Sequence, residues 1–301
     1  MDFNTSIDYA NEITKLDPHL FSPRRLSSRI QPLYNGRTSV ISHIANQCVY
    51  FSLVAHRLRL LASSTRVESS PTKVGIIGGG RVGVEIANTL LAANWPACDL
   101  AISSRQPHEP RWMSRVDSQV ARYNDNAKLA EESDVVILAM PPSQLASVGI
   151  QIKHALNLGT KALVSILAGV GNERVSKVCG SPGTLLTRVS LPQAGSPADS
   201  NPSDAAAMQF ALDNSSGLHG LCLDLEHFAM QVGIPKESAR EVVVDIVLGR
   251  HGSEAQRRAH LPHWHKSWDA ILKSAQGIFS QAINQIDVPL IENNSSGHHR
   301  R

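Results

Sequence analysis

Apolar residues along this chain follow two rhythms, and the change between them divides it. From Thr38 to about Ala62 they recur at helical spacing, at Ile41, Ile44, Ala45, Cys48, Phe51, Val54, Ala55 and Leu58. That spacing predicts one amphipathic helix, able to cover one side of whatever follows. From Lys73 onward short apolar runs alternate with helical patterns, as in a parallel sheet whose strands are joined by crossover helices. Strands are predicted at 73–77, 99–103, 119–123, 135–139, 162–166 and 184–188, and helices near 82–94, 126–132, 143–157 and 171–178. Pro96 is read as closing the first of these helices. Asp125 or Asn126, and Ser143, suit N-caps of later ones. The fold class predicted is α/β, a Rossmann-type doubly wound, mostly parallel sheet.

The flanks read differently. Residues 1–71 form a polar N-terminal region holding the one amphipathic helix. It is irregular to residue 37, where Pro18, Pro23 and Pro32 interrupt it, and it ends in a serine-rich linker. Residues 72–192 hold the sheet, 193–290 a helical C-terminal domain, and 291–301 a disordered tail. Within the C-terminal domain a loop-like stretch at 189–203 precedes helices at Ala205–Leu212 and Leu218–Val232, which Asn214–Gly217 separates. Pro235 opens another helix, to about Leu248. A last helix lines Trp268, Ile271, Leu272, Ala275, Ile278, Phe279, Ala282, Ile283 and Ile286 along one face, a stripe that suits core or a homodimer interface.

Composition narrows the class. The 301 residues are 42% hydrophobic and 18% charged, ordinary for a globular protein, and a net charge of +3 is too small and scattered to argue for nucleic acid. Cys48, Cys98, Cys179 and Cys222 are far apart, which fits a reducing compartment, and the expected location is cytoplasmic. No stretch supplies the roughly 20 apolar residues of a membrane span, and no basic segment opens the chain as a secretory signal would. His56-Arg57-Leu58-Arg59 reads as the solvated end of its helix rather than a lipid-binding patch.

The chemistry lies where the first strand ends. Val74, Ile76 and Ile77 suit a buried strand, and Gly78, Gly80 and Gly83 then stand at G-x-G-x-x-G spacing within Ile77-Gly78-Gly79-Gly80-Arg81-Val82-Gly83. Such glycines give a tight turn, close backbone approach to a pyrophosphate and close helix–strand contact. The helix that follows offers unpaired N–H groups and the positive end of its dipole. The second strand's end should meet the adenosine ribose, where an NAD site carries Asp or Glu. Here it holds Ser103, Ser104 and Arg105, with Asp99 too early. Hydroxyls and a bidentate-capable arginine suit a 2′-phosphate, so NADP is the cofactor expected.

These residues resemble the N-terminal domain of pyrroline-5-carboxylate reductase and its relatives, which include deazaflavin-dependent NADP reductases. The resemblance rests on the glycine turn, on Ser103-Ser104-Arg105, and on Asn126 followed by Ser133-Asp134-Val-Val-Ile-Leu-Ala139-Met140-Pro141-Pro142. Val164-Ser-Ile-Leu-Ala-Gly-Val170 adds a fourth segment, and together they cover residues 73–170, about a third of the chain. It implies that Asn126, Ala139, Met140, Pro141 and Pro142 contact the nicotinamide half of NADP(H).

Departures are concentrated on the substrate side. Met140 stands where the family usually has lysine. Arg188-Val-Ser-Leu-Pro192-Gln193 keeps the arginine of a family motif and lacks its asparagine, while Asn214-Ser-Ser-Gly217 is at best a remnant of another. Val232-Gly-Ile-Pro235 does resemble the family's helical domain. No catalytic residue is assigned: Ser165, Ser190, Glu226 and His227 have no partner placed by sequence. His260, His263 and His265, with His251, are read as a solvated loop and not a metal site. The resemblance implies an NADP(H)-dependent oxidoreductase acting on a small imine or carbonyl; the alternative is an inactive NADP(H)-binding sensor or partner-binding protein.

Overall fold

Six short strands pair in parallel: β1 (Val74–Ile77), β2 (Leu100–Ser103), β3 (Ala121–Tyr123), β4 (Val135–Leu138), β5 (Ala162–Ser165) and β6 (Thr184–Leu186), in the order β3-β2-β1-β4-β5-β6. The computed structural model describes residues 31–62, 72–107, 115–157, 160–180, 184–186 and 215–248. All six predicted strands are present, the first five one or two residues shorter at an end, and the doubly wound parallel fold holds. The helices are α1 (Gln31–Ala62), α2 (Arg81–Ala92), α3 (Asn126–Glu132), α4 (Leu145–Leu156), α5 (Asn172–Cys179), α6 (Ser215–Gln231) and α7 (Lys236–Leu248). The predicted helices at 205–212 and 268–286, the histidine cluster, the Arg188–Gln193 motif, the loop at 189–203, residues 1–30 and the tail lie outside the described residues.

Strand parity distributes the core to both sides of the sheet. Val74, Ile76, Leu100, Ile102, Val135, Ile137, Ala162 and Val164 join the cluster under α1, α2, α6 and α7. Their neighbours Ile77, Val136, Leu138 and Leu163 join the cluster under α3, α4 and α5. Strands buried on both faces read as continuous apolar runs, which is why the sequence showed them clearly.

Several local expectations change. Helix α1 begins at Gln31, not Thr38, with Pro32 in its first turn. Proline is tolerated there because the N–H it lacks would have had no helical partner. Helix α2 is ended by Asn94, at φ 63°, before Pro96 is reached. Trp95 N–H bonds Leu90 O at 2.9 Å and Asn94 N–H bonds Leu91 O at 2.9 Å, which satisfies the last carbonyls. Ser143 is no cap: Pro142–Gln144 form a 3-10 turn, and no side chain caps α4 at Gln144. Ser215–Gly217, read as part of a separator, are the first residues of α6.

Helix α1 is part of the fold's core. It packs on α2, β4, β5 and α6, with Leu53, Val54, Ala55 and Leu58 at most 1% exposed. Its basic end is docked at the amino edge of the sheet, contrary to the solvated face expected from sequence. Arg59 Nη2 pairs with Asp134 Oδ1 at 2.7 Å and Nη1 donates to Thr160 O at 3.0 Å, while Asp134 Oδ2 accepts Lys73 N–H at 2.9 Å. His56 Nδ1 meets Thr72 Oγ1 at 2.7 Å in a buried contact. No helix among the described residues is long and apolar enough to cross a membrane.

If α1 is integral, emptying its contact costs as much as a core truncation. Leu53→Ala should destabilise the protein by about 2–5 kcal/mol. Chemical denaturation of the two proteins measures this, and an unchanged midpoint would mean the helix docks without contributing.

Candidate functional site

The strand order reverses between β1 and β4, and crevices at the carboxyl ends of strands flanking such a reversal bind ligands in open α/β sheets. Both strands end there in register, Ile77 opposite Leu138. The glycine turn leaves β1 and the Ala139–Pro142 segment leaves β4, side by side, with Ala139 N–H bonded to Ile77 O at 2.8 Å.

Each motif glycine has a different physical requirement. Gly78 has φ 122°, a region L side chains rarely enter, and a Cβ there would lie 2.7 Å from Ala139 C and O. Its N–H bonds Ser103 O at 3.0 Å, which ties the turn to the end of β2. At Gly83 a Cβ would run into the carbonyl oxygen of Gly78. Gly80 differs: φ is −80°, and a Cβ would meet nothing within 4 Å. The fold itself does not demand glycine at Gly80, and the open space beside its backbone is what a closely approaching pyrophosphate needs. Gly80 stands at the N-cap of α2, where no side chain caps the helix. A helix N-terminus whose cap residue is glycine, at the turn beside the reversal in strand order, is a setting suited to an anion.

At the end of β2, Ser104 N–H bonds Tyr123 O at 2.9 Å, and Ser104 Oγ accepts Gln106 N–H at 3.3 Å. Arg105 is exposed. Asp99 sits in the 3-10 turn Ala97–Asp99 that enters β2, at the opposite edge of the sheet, so it stands away from this corner. Ser103, expected at the corner, is 1% exposed, and its hydroxyl donates to Asn126 Oδ1 at 2.7 Å.

Of the two candidate caps for α3, Asp125 takes the role. Its Oδ1 accepts Ala127 N–H at 2.9 Å and Lys128 N–H at 3.2 Å, which leaves the Asn126 amide for other bonds. Asn126 Nδ2 donates to Gln151 Oε1 on α4 at 2.8 Å. On the β4 side Met140 is buried, 6% exposed, among the residues under α4, and Pro141 and Pro142 are exposed. Gly78–Gly83, Ser103–Arg105, Asn126 and Ala139–Pro142 therefore all stand at the carboxyl edge of the sheet.

At the end of β5, Ser165 is fully buried and its Oγ accepts Leu167 N–H at 3.4 Å, so it is no exposed nucleophile. Asn172, which opens α5, donates from Nδ2 to Asp224 Oδ2 of α6 at 3.0 Å. Sequence reasoning weighed Glu226 and His227 on α6 and passed over Asp224. Its place on the edge of the stripe Leu225, Phe228 and Ala229 was the available signal. Gln151 was also missed, since an exposed glutamine on a crossover helix gives no sequence cue. All four cysteines are free; burial pushes the Cys179 and Cys222 thiols up to about 11, so neither is a ready thiolate. Among the described residues no group of His, Cys, Asp or Glu could hold a metal ion.

Residues 73–169 match the family model described as NADP oxidoreductase coenzyme F420-dependent. A pyrroline-5-carboxylate reductase of Corynebacterium melassecola is 30% identical over 102 residues, covering 33% of this chain and 37% of that protein. NADP-dependent oxidoreductase domain-containing protein 1 of Mus musculus is 30% identical over 127 residues, 38% of this chain and 34% of that protein. The chain covers 34 to 41% of the length of the curated relatives it matches. A solved pyrroline-5-carboxylate reductase from Coxiella burnetii is similar at a TM-score of 0.35 and 16% identity, covering 72% of this chain and 99% of that one.

The glycines separate by substitution. Gly78→Ala should lower stability by about 1–3 kcal/mol or more from the strained φ alone. Gly80→Ala should hold or raise it, by up to about 1 kcal/mol, because its φ suits alanine and the space is open. Thermal melts of both variants check this, and an equal loss in the two would contradict the distinction.

Proposed function

We propose that this protein is an NADP(H)-dependent oxidoreductase, a reading that follows from residues 73–169 belonging to the pyrroline-5-carboxylate reductase-like NADP-binding family. The observation that carries it is the pairing of an open backbone cradle at Gly80 with a β2 end that presents Ser104 and Arg105 and no carboxylate. In this reading the backbone of Gly78–Gly83 and the positive end of the α2 dipole hold the pyrophosphate. Arg105, with Ser104 beside it, holds the 2′-phosphate through charge-assisted hydrogen bonds. Asn126 and Ala139–Pro142 orient the nicotinamide half, and the apolar wall around Met140 keeps water from it.

The bound cofactor supplies the hydride, and the protein's share is binding, orientation and charge. The substrate class we infer is a small imine or carbonyl, after the reductases to which the chain is similar. The cytoplasm, a reducing compartment that suits four free thiols, belongs to the same reading.

Paired titrations of NADPH and NADH against the wild type and Arg105→Ala test it. NADPH should bind the wild type more tightly, and Arg105→Ala should weaken NADPH by roughly tenfold or more, the size of a lost charge-assisted bond, with NADH unchanged. Equal or absent binding of both nucleotides would remove the cofactor assignment. Tight NADPH binding without turnover across a panel of cyclic imines and carbonyls would leave a nucleotide-binding protein in place of an enzyme.

A further inference from the structure

Ser103 was expected to face the cofactor phosphate, yet its hydrogen bonds run through the protein. Strand parity turns it toward α3 and α4: Ile102 joins the cluster on one face of the sheet, and Ala101 packs against the other, the side Ser103 shares. From there its hydroxyl reaches Asn126 Oδ1 at 2.7 Å, and its carbonyl takes the Gly78 N–H at 3.0 Å. Asn126 in turn donates to Gln151 Oε1 at 2.8 Å. A continuous series of bonds therefore joins the glycine turn, the end of β2, the start of α3 and the middle of α4. With Asn126 Oδ1 engaged by Ser103 and one amide N–H by Gln151, the amide has its second N–H to offer. Such an amide serves a hydrogen-bond acceptor, such as a ribose or carboxamide oxygen.

We propose that Ser103 is a positioning residue whose buried hydroxyl fixes the Asn126 amide, and that discrimination of the 2′-phosphate belongs to Ser104 and Arg105 without it. The proposal rests on the dinucleotide reading above. It predicts that the relay serves NADPH and NADH alike, whereas Arg105 serves NADPH alone.

The test titrates both nucleotides against Ser103→Ala, Asn126→Ala, the double variant and Gln151→Ala. Ser103→Ala should weaken NADPH and NADH by the same factor, about five- to tenfold for a partly buried acceptor left unpaired. The double variant should bind no more weakly than Asn126→Ala, since both substitutions break one bond. Gln151→Ala should cost both nucleotides about twofold, the lower end of a hydrogen bond's net worth. A selective loss of NADPH in Ser103→Ala, or additive losses in the double variant, would overturn the proposal. Gln151 is exposed and its variant keeps the fold, so it decides the matter if Ser103→Ala melts: unchanged affinity for both nucleotides then rejects the relay. A wild type that binds neither nucleotide rejects the dinucleotide reading itself, and the positioning role falls with it.

Discussion

Everything at the carboxyl edge of this sheet depends on how closely the backbone at Gly78 approaches the backbone at Ala139. The approach leaves no room for a Cβ, and the φ of 122° excludes most other residues independently. Its consequence is geometric: β1 can turn sharply enough for α2 to start three residues later with its N-terminus over the reversal in strand order. A wider turn would move the helix N-terminus off the crevice and break the bond from Gly78 N–H to Ser103 O. One backbone contact thus sets the relative positions of β1, β2 and the segment after β4. The site is built first from main chain and only then from side chains.

A second constraint acts on the sheet's other requirement, that both faces be covered. Helices α3, α4 and α5, which lead into or out of β4, β5 and β6, lie on one face, and α2 alone covers only part of the other. Helix α1, from the N-terminal region, and α6, from the C-terminal region, complete it. At about 1.5–3 kcal/mol for each large aliphatic side chain buried, Leu53, Val54 and Leu58 outweigh the Arg59–Asp134 pair. A partly exposed ion pair is worth about 0–1 kcal/mol. The apolar face holds α1 in place, and Arg59 sets which way along the sheet it lies, by engaging groups found only at the amino edge.

How much of this was legible follows from which signals are local. The strands were legible because Val74–Ile77, Val135–Leu138 and Ala162–Ser165 are short apolar runs, as full burial requires. The glycine turn was legible because its three glycines stand at fixed spacing within six residues, although the contact that requires Gly78 is with the distant Ala139. The start of α1 was misread because Pro32 looks like a breaker, although a first-turn proline breaks nothing. Ser143 looked like a cap because the sequence does not show that Pro142 draws it into a 3-10 turn. The pairing of Arg59 with Asp134 spans 75 positions, and nothing near either residue announces it. Ser103 lay between these cases. Its place at the strand's end was clear, and the alternation of Ala101, Ile102 and Ser103 already implied that it faces inward, away from solvent.

The same distinction separates the two halves of the carboxyl edge. The nucleotide cradle is made by backbone conformation, so it survives wherever three glycines and the strand order survive. The β4 side presents side chains, and Met140 is the buried one among them. A buried thioether brings apolar surface and no positive charge, and its neighbours along the chain are Ala139 and two exposed prolines. The Asn126 amide at this edge is tied to a serine two strands away from β4, whose hydroxyl it accepts. Charge enters from elements beyond the sheet, as where the Asp224 carboxylate of α6 accepts the Asn172 amide at the start of α5.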